Sequence, residues 1–377
     1  MESALQLQST FRDSGFIEVT LANVEIPTPS ANEVLVRIEA TPINPSDLGT
    51  LLGPADMNGA EQIVSDGVPT LRAPVPAERR KSLAPRSEKP LPIGNEGAGV
   101  VVSAGDSPEA QALLGKTVAV LGGAMYAQYR CIAAKACLPL LEGTTAKQAA
   151  SCFVNPLTAI GMVETMKLEN HSALVHTAAA SNLGQMLNKL CLSDDVSLVN
   201  IVRSEAQVKV LRDIGAQFVC DSSTPSFMDD LCDALDKTGA TIAFDAIGGG
   251  QLASQILTAM ERVQSADPRP ENRYGSTVHK QVYTYGMLDT SPTILDRSYG
   301  MAWGVGGWLL TAFMARVGPE KSQALRERVA REITTTFASQ YTEEISMRQA
   351  LDVEIAQRYQ RKSTGEKFLI NPALDSA

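Results

Sequence analysis

The stretch that decides the fold runs from residue 172 to residue 204 and reads SALVHTAAASNLGQMLNKLCLSDDVSLVNIVRS. It opens with an apolar run at 173–176, which predicts a short buried strand because no polar residue marks a solvent-facing side. Small residues follow at 177–184, and the apolar residues then recur at the spacing of a helix packed on a sheet: Leu183, Met186, Leu187 and Leu190. A second apolar run at 196–202 completes the pattern, so the stretch predicts one βαβ unit.

The turn inside this unit resembles a phosphate-binding turn. Ala178, Ser181 and Gly184 are three residues apart, a spacing at which small side chains let a pyrophosphate approach the N-terminus of a helix. Two of the usual glycines are replaced, so an ordinary strand-to-helix turn is the competing interpretation. Arg203 favours the first interpretation, because it lies about 20 residues past the turn, where NAD enzymes carry an acid. A guanidinium suits a 2′-phosphate, so the stretch predicts NADPH rather than NADH.

Composition restricts the class of protein. A chain of 377 residues predicts two domains or slightly more, and 44% hydrophobic with 20% charged residues is typical of a soluble globular enzyme. The net charge of −9 and the pI near 5.1 argue against nucleic acid or an anionic membrane as the main partner. No apolar run reaches the roughly 18 residues of a membrane span. The N-terminus lacks a secretion signal, so we expect a cytoplasmic protein.

The cysteines and histidines form no metal-binding pattern. The six cysteines contain no CxxC pair, which excludes a disulfide framework or a four-cysteine zinc lobe and predicts reduced thiols: Cys131, Cys137, Cys152, Cys191, Cys220 and Cys232. The three histidines, at 171, 176 and 279, are not at ligand spacing. We expect His176 to be a packed core residue of the first strand.

The pattern changes along the chain from β-rich to alternating. Residues 16–40 and 92–129 predict a rolled, mostly antiparallel β domain. Residues 53–90 lose periodicity and carry several prolines, which predicts either a lid over a site or a solvated surface excursion. Residues 146–166 predict two helices or one helix kinked at Asn155-Pro156. From about 172 to 290 strands and helices alternate, which predicts a doubly wound parallel sheet.

The last part of the chain predicts a long helix at 319–338 and a closing strand at 368–370. This part is too short to form a domain of its own. We therefore expect it to return and complete the first, β-rich domain.

Eight stretches together resemble the medium-chain dehydrogenase/reductase superfamily, and within it the zinc-free NADPH quinone oxidoreductases and enoyl reductases. They occur in the order of that family: INPSD at 43–47, PIGNEGAGVV at 92–101, NPLTA at 155–159, AASNLG at 179–184, NIVRS at 200–204, FDAIGG at 244–249, YGMLD at 285–289 and TGEKFLI at 364–370. The resemblance implies an α/β fold with a split, GroES-like β-rich catalytic domain at 1–160 and 311–377. A Rossmann NADPH-binding domain with a doubly wound parallel sheet is then inserted at 161–310, and its edge would form a homodimer.

The resemblance also bears on the chemistry. Zinc-dependent members carry a cysteine where Asn44 stands and a histidine where Asn95 stands, and amides cannot supply those ligands, so no catalytic zinc is implied. Hydrogen bonds alone would then polarise the substrate. Enoyl reductases carry a tyrosine proton donor shortly after the INPSD-like motif, and residues 48–62 contain none. This favours a quinone, whose oxygen can take a proton from water. We expect Tyr126 to pack beside a glycine turn rather than replace that donor.

The resemblance assigns roles to particular residues. It places five main-chain amides near the pyrophosphate: Ala180, Ser181, Asn182, Leu183 and Gly184. Around the 2′-phosphate it places Asn200, Arg203 and Ser204, whereas a solvated helix lysine is the preferred interpretation of Lys209. Toward the nicotinamide it places Asn155 and Thr158, with Gly286 and Met287 at a strand end and Lys367 near the C-terminus. Catalytic roles fall to Asn44 and Thr158, although Asn44 also suits a turn and Asn155-Pro156 a helix break.

The leading hypothesis is a metal-free oxidoreductase that transfers hydride from NADPH to a quinone or an activated enone, with the protein supplying position and a dry cleft. The alternatives are a catalytically weak NADPH-binding sensor and an enoyl-thioester reductase. A zinc alcohol dehydrogenase is disfavoured by Asn44 and Asn95.

Overall fold

The computed structural model describes residues 2–65, 67–265 and 274–375. The chain divides into two compact units: the first contains Met1–Val154 and Arg326–Ala377, and the second contains Asn155–Leu325. The second unit is longer than the predicted 161–310, because one helix spans the first predicted boundary and another begins at the second. Within the described ranges, no helix combines the length and the apolar character needed to cross a bilayer.

The first part of the first unit is β-rich. Its elements are β1 (Ser3–Phe11), β2 (Phe16–Glu25), β3 (Glu33–Pro42), α1 (Pro45–Leu51), β4 (Glu61–Ser65), β5 (Val68–Pro74), α2 (Ala77–Arg80), β6 (Leu91–Pro92), β7 (Glu96–Ala104), α3 (Pro108–Gln111), β8 (Thr117–Leu121), β9 (Tyr129–Ala133), β10 (Cys137–Pro139) and α4 (Ala146–Ala149). Strands β4, β5, β2, β1 and β6 form one antiparallel sheet in that order.

The second unit alternates strands and helices, as predicted. Its elements are α5 (Val154–Leu168), β11 (Ala173–His176), α6 (Asn182–Ser193), β12 (Ser197–Val202), α7 (Glu205–Asp213), β13 (Phe218–Asp221), α8 (Phe227–Thr238), β14 (Ile242–Asp245), β15 (Gly248–Gly250), α9 (Leu252–Gln264), β16 (Lys280–Thr284), β17 (Asp289–Thr293), β18 (Trp303–Gly307) and α10 (Leu310–Glu332). Six strands form a parallel sheet in the order β13-β12-β11-β14-β16-β18. All residues of β11 and β14 are buried, as expected for strands covered on both faces.

The C-terminal segment returns to the first unit, which confirms the prediction. It adds β19 (Glu343–Ile345), α11 (Val353–Gln360) and β20 (Phe368–Ile370). β20 pairs antiparallel with β3 and parallel with β19, and so extends the second sheet of this unit, which runs β10-β8-β7-β3-β20-β19 with β9 also paired to β3. The mixed α/β fold, with one antiparallel β-rich unit and one doubly wound parallel unit, is the predicted fold class.

Residues 53–65 and 67–90 are not a solvated excursion, so that prediction for this segment was wrong. They contain the β4–β5 hairpin, and β5 pairs with β2 from Phe16↔Pro74 to Thr20↔Thr70. Leu71 and Ala73 are each 1% exposed and belong to the core of the unit. The prolines at 69 and 74 hid the strand, although β4 directly precedes it as one partner and β2, its other partner, lies 50–58 residues earlier in the chain.

Two helix predictions also need correction. The helix predicted at 319–338 is the second half of α10, which begins at Leu310 and is broken at Gly318, where φ is +79°. Residues 146–166 form two helices, α4 and α5, as one of the two alternatives predicted, but the break lies at 150–153, and Asn155-Pro156 lies in the first turn of α5. Proline is tolerated there because the first amides of a helix have no intrahelical acceptor.

Candidate functional site

The turn from β11 to α6 is held by hydrogen bonds within the turn. Ala178 has φ +50°, an uncommon conformation for a residue other than glycine. The hydroxyl of Ser181 caps α6 by accepting a hydrogen bond from the Gly184 amide at 3.1 Å. The Ser181 amide donates to the Ala178 carbonyl at 3.0 Å. Two of the five amides predicted for a pyrophosphate, those of Ser181 and Gly184, therefore serve the turn itself.

Gly184 is required by close packing. A Cβ on this residue would lie 2.2 Å from the carbonyl oxygen of Ala179, a backbone atom that cannot move aside. In dinucleotide-binding turns one glycine has this function of letting the helix approach its strand. The remaining predicted amides, of Ala180, Asn182 and Leu183, lie at the start of α6, where the positive end of the helix attracts anions.

The three residues predicted around a 2′-phosphate lie in different environments at the end of β12. Arg203 is exposed, and Ser204 is the N-terminal cap residue of α7. Asn200 is fully buried, and its Nδ2 donates to Asn188 Oδ1 and to the Phe218 carbonyl, each at 3.3 Å. Asn200 therefore fastens α6 to the sheet, which corrects its predicted role, because its position in the strand points it under α6.

Lys209 is a solvated helix lysine, the preferred interpretation of this residue. It forms an i, i+4 ion pair with Asp213 at 2.9 Å on the exposed face of α7. Asn155 and Thr158, predicted near the nicotinamide, lie three residues apart in α5, so both are on one face of the helix. They are 8% and 7% exposed.

Gly286 and Met287 lie just after β16, next to the turn that follows β14. A Cβ on Gly286 would be 2.6 Å from the Ala246 carbonyl oxygen, and the Leu288 amide donates to the same oxygen at 3.1 Å. Met287 is 75% exposed. The residues that hold these turns, Thr177 and Asp245, were missed by the sequence analysis, although Asp245 lies within the quoted motif FDAIGG.

Asn44 lies in the first unit, and its side-chain amide and its backbone amide are each hydrogen-bonded to an acidic side chain. Its Nδ2 donates to Glu96 Oε1 at 2.7 Å, and its backbone amide donates to Asp47 Oδ2 at 2.8 Å. The side chain is 1% exposed, and its Oδ1 has no hydrogen-bond partner among the described residues. Glu96 thus fixes the orientation of the Asn44 side chain, because the NH₂ group must face the carboxylate.

Asp47 and Glu96 are buried carboxylates held by main-chain amides. Asp47 Oδ1 accepts from the Asn95 amide at 2.8 Å, and burial raises the pKa of Asp47 to about 7 despite its hydrogen bonds from Asn44 and Asn95. Glu96 Oε2 accepts from the amides of Phe153 and Val154 at 2.8 and 2.9 Å. Burial raises the pKa of Glu96 as well, against the opposing charge of Lys367.

Lys367 belongs to the same buried group of side chains. Its Nζ donates to Ser151 Oγ at 2.7 Å, and Ser151 in turn is 2.9 Å from the Tyr341 hydroxyl. Burial lowers the pKa of Lys367 to about 8, while the nearby Glu96 and Asp47 raise it. Because the ammonium is committed to this group, its predicted contact with a cofactor has no support in the geometry. Asp47, Glu96 and Ser151 are the residues of this site that sequence analysis missed, although two of them stand in quoted motifs.

Tyr126 packs as predicted. It is fully buried, donates its hydroxyl to the Pro42 carbonyl at 3.1 Å, and leaves no room for a Cβ on Gly94 of the adjacent turn. Within the described residues, no three His, Cys, Asp or Glu side chains are grouped to hold a metal ion.

Solved structures share the fold of this chain. A Mesorhizobium loti protein described as an NADPH:quinone reductase aligns over 99% of both chains with a TM-score of 0.73 and 24% identity. A Bacillus thuringiensis protein of the same description has a TM-score of 0.73, 21% identity, and coverage of 98% of this chain and 99% of its own. The chain has the fold of the medium-chain dehydrogenases/reductases. A mycobacterial protein complexed with NADPH has the same fold, with a TM-score of 0.67 and 17% identity. The alignment covers 98% of this chain and 100% of that protein.

Curated relatives are distant in sequence. The mouse mitochondrial enoyl-[acyl-carrier-protein] reductase is 26% identical over 209 residues, 53% of this chain and 48% of the relative. A Schizosaccharomyces pombe protein described as a quinone oxidoreductase is 28% identical over 172 residues, 44% of this chain and 51% of the relative. The aligned part thus spans about half the length of these relatives. No family model matches the sequence.

Proposed function

We propose that this protein is an NADPH-dependent oxidoreductase that reduces a quinone or an activated enone without a metal ion. The observation that carries the proposal is the turn between β11 and α6, where Gly184 leaves no space for a Cβ beside the Ala179 carbonyl. A dinucleotide-binding turn needs this close approach. The descriptions of the structural neighbours as NADPH:quinone reductases support the same activity.

The residues present fit a nicotinamide dinucleotide carrying a 2′-phosphate. The first turn of α6 offers amide donors and the positive end of the helix to a pyrophosphate. The exposed guanidinium of Arg203, beside Ser204, suits the 2′-phosphate at the end of β12. Toward the nicotinamide half, the candidates are Asn155, Thr158, Gly286 and Met287. When bound, NADPH would supply a hydride, and the protein would supply binding and orientation.

Asn44 is the residue of the first unit that we propose to polarise the substrate oxygen. An amide nitrogen carries two N–H donors, and Glu96 takes one of them. The second is then held in a fixed direction by a buried network, as electrostatic stabilisation of a developing oxyanion requires. Thr158 is the proposed hydroxyl donor of the second unit.

The test is stopped-flow measurement of NADPH absorbance with a panel of quinones and enones. We expect oxidation of NADPH with at least one quinone, in protein shown by metal analysis to contain no stoichiometric zinc. Stoichiometric zinc would reject the metal-free mechanism. NADPH binding by calorimetry without turnover of any acceptor would instead support the catalytically weak sensor.

Enoyl-thioester reduction is the second candidate, because mitochondrial enoyl reductases are among the curated relatives. Residues 48–62 contain no tyrosine, and the buried Tyr126 already donates to a carbonyl, so neither offers the proton that a carbon atom needs. We therefore expect turnover with a crotonyl thioester at well below the quinone rate. A faster thioester reaction would reverse the order of the two candidates.

We also propose a homodimer formed at the edge of the parallel sheet. β18 is the last strand of that sheet, and the exposed apolar residues Met301 and Leu309 flank it, at 75% and 64% exposure. Light scattering after gel filtration should give twice the chain mass. The double variant Met301→Glu, Leu309→Glu should give the mass of one chain, and an unchanged dimer would place the interface elsewhere.

A further inference from the structure

The turns that follow β11 and β14 border the expected ligand crevice. β11 and β14 are neighbours in the parallel sheet, with His176 opposite Phe244. From β11 the chain continues to β12 on one side, whereas β14 lies on the other side, so the strand order reverses between them. Open α/β sheets bind ligands outside the carboxyl ends of the strands at such a reversal.

A buried pair of side chains joins these two turns. The Thr177 hydroxyl donates to Asp245 Oδ1 at 2.7 Å and accepts from the Ala246 amide at 2.8 Å. Asp245 also accepts from the amide of Ile247 on Oδ1 at 2.9 Å and from that of Gly248 on Oδ2 at 3.0 Å. One hydroxyl and one carboxylate therefore bind the end of β11 to the whole start of the turn after β14.

The Asp245 carboxylate is buried and is held by hydrogen bonds. Thr177 is fully buried, Asp245 is 1% exposed, and no ion pair involves Asp245 in the described part of the chain. A buried carboxylate is costly unless its oxygens are satisfied, and here three donors satisfy them. Loss of the hydroxyl would leave the carboxylate one donor short and would release the turn from β11.

The same turn is bound to the one that follows β16. The Leu288 amide donates to the Ala246 carbonyl at 3.1 Å, and the Asp289 amide donates to the Ile247 carbonyl at 2.9 Å. Gly286 contacts Ala246 so closely that a Cβ would overlap its carbonyl. A displacement of the turn after β14 would therefore also displace Gly286 and Met287.

We propose that Thr177 and Asp245 are positioning residues for NADPH, because their hydrogen-bonded pair sets the separation of the turns that border the crevice. This inference rests on the proposed NADPH-dependent function and extends it to two residues that are buried beneath the binding surface. Thr177→Val removes the hydroxyl at nearly constant volume, Thr177→Ser retains it, and Asp245→Asn replaces one acceptor by a donor.

The first readout needs no cofactor. Hydrogen–deuterium exchange of the Ile247 and Gly248 amides in the NADPH-free protein should be faster in Thr177→Val and close to wild type in Thr177→Ser. The matched control is Thr258→Val, which removes a half-buried hydroxyl that bonds Ser298 in the same unit, and it should leave these amides unchanged. Unchanged exchange in Thr177→Val would overturn the proposal.

The second readout is affinity. Thr177→Val should raise the Kd for NADPH, measured by fluorescence titration, about tenfold, the effect of one hydrogen bond to a charged group. KM for NADPH should rise in parallel, with kcat within about twofold, and Thr177→Ser should restore both. A merely structural role predicts a lower melting temperature and less active protein at unchanged KM, and that result would overturn the proposal. Asp245→Asn should repeat the rise in Kd, so the inference can still be judged if Thr177→Val folds poorly.

The two proposals fail differently. If the wild type binds NADPH and Thr177→Val binds it equally well, only the positioning role is rejected. If the wild type itself binds no NADPH, the proposed function is rejected and the positioning role with it.

Discussion

Asn44 Nδ2 lies 2.7 Å from Glu96 Oε1, and both side chains are buried in the first unit. The carboxylate that holds this amide also accepts two main-chain amides, from Phe153 and Val154. Asn44 therefore has a fixed orientation without a metal ion.

Glu96→Ala should destabilise the first unit strongly. The substitution leaves the Asn44 donor and two buried amides without an acceptor, and it removes one of the two carboxylates near Lys367, so we expect a loss of about 3–5 kcal/mol in the free energy of unfolding. Urea denaturation measures this loss. The exposed Glu142→Ala is the control and should change stability by less than about 0.5 kcal/mol. Equal losses in both variants would contradict the network.

Arg203→Ala tests the choice of cofactor. The guanidinium is exposed at the end of β12, and its loss should weaken NADPH binding by about tenfold or more while changing NADH binding little. Calorimetric titration with both nucleotides gives the ratio. Lys209→Ala is the matched control, because this lysine is exposed on α7 and paired with Asp213. Parallel losses for NADPH and NADH in Arg203→Ala would mean that Arg203 does not read the phosphate.

Gly184→Ala should disrupt the turn between β11 and α6. The added Cβ would lie 2.2 Å from the Ala179 carbonyl oxygen, so the helix must move away from the turn at a cost of about 1–3 kcal/mol. Both the melting temperature and the affinity for NADPH should fall. Gly307→Ala in β18 is the control, since a Cβ there meets nothing within 4 Å. A Gly184→Ala variant as stable as Gly307→Ala would refute the packing role.

His176 should make the protein sensitive to acid. Burial lowers its pKa to about 3, and its Nε2 is 2.7 Å from the Tyr285 hydroxyl. The ordinary pKa is about 6.5, so between pH 6.5 and 3 the unfolded chain binds a proton that the folded chain does not. The free energy of unfolding is therefore undiminished by His176 above pH 6.5, and it falls by about 5 kcal/mol in all as the pH drops from 6.5 to 3.

The variant His176→Gln isolates this effect, because glutamine can bond Tyr285 but does not titrate in this range. Urea denaturation at several pH values should show a smaller slope of stability with pH in the variant between pH 6.5 and 3. Parallel curves for the two proteins would show that His176 is not the group responsible.

Lys280→Met should destabilise the second unit. Lys280 is fully buried and Glu261 is 7% exposed, with Nζ and Oε2 2.7 Å apart. Removing the ammonium leaves a buried carboxylate without its cation, which costs about 3–5 kcal/mol. The double variant with Glu261→Gln should recover part of this loss, and the exposed Lys237→Met should lose little. No recovery in the double variant would mean that packing, rather than charge, explains the loss.

Several features of the fold followed from local pattern. The uninterrupted apolar runs of β11 and β14 predicted buried parallel strands, and the regular alternation with helices predicted the doubly wound sheet. The prediction failed at β5, because it carries prolines at 69 and 74, a residue that strands usually exclude. β5 nevertheless pairs both with the adjacent β4 and with the distant β2.

The sequence by itself determined the fold class and the turn that Gly184 makes possible, because both follow from the spacing of neighbouring residues, and the shortness of the C-terminal segment predicted its return to the first unit. Only the tertiary structure decided the partners of the buried polar groups. Asn44 and Glu96 are 52 residues apart, Thr177 and Asp245 are 68 apart, and Ser151 and Lys367 are 216 apart. Buried polar atoms must find a hydrogen-bond partner, but which one they find depends on how distant strands are brought together.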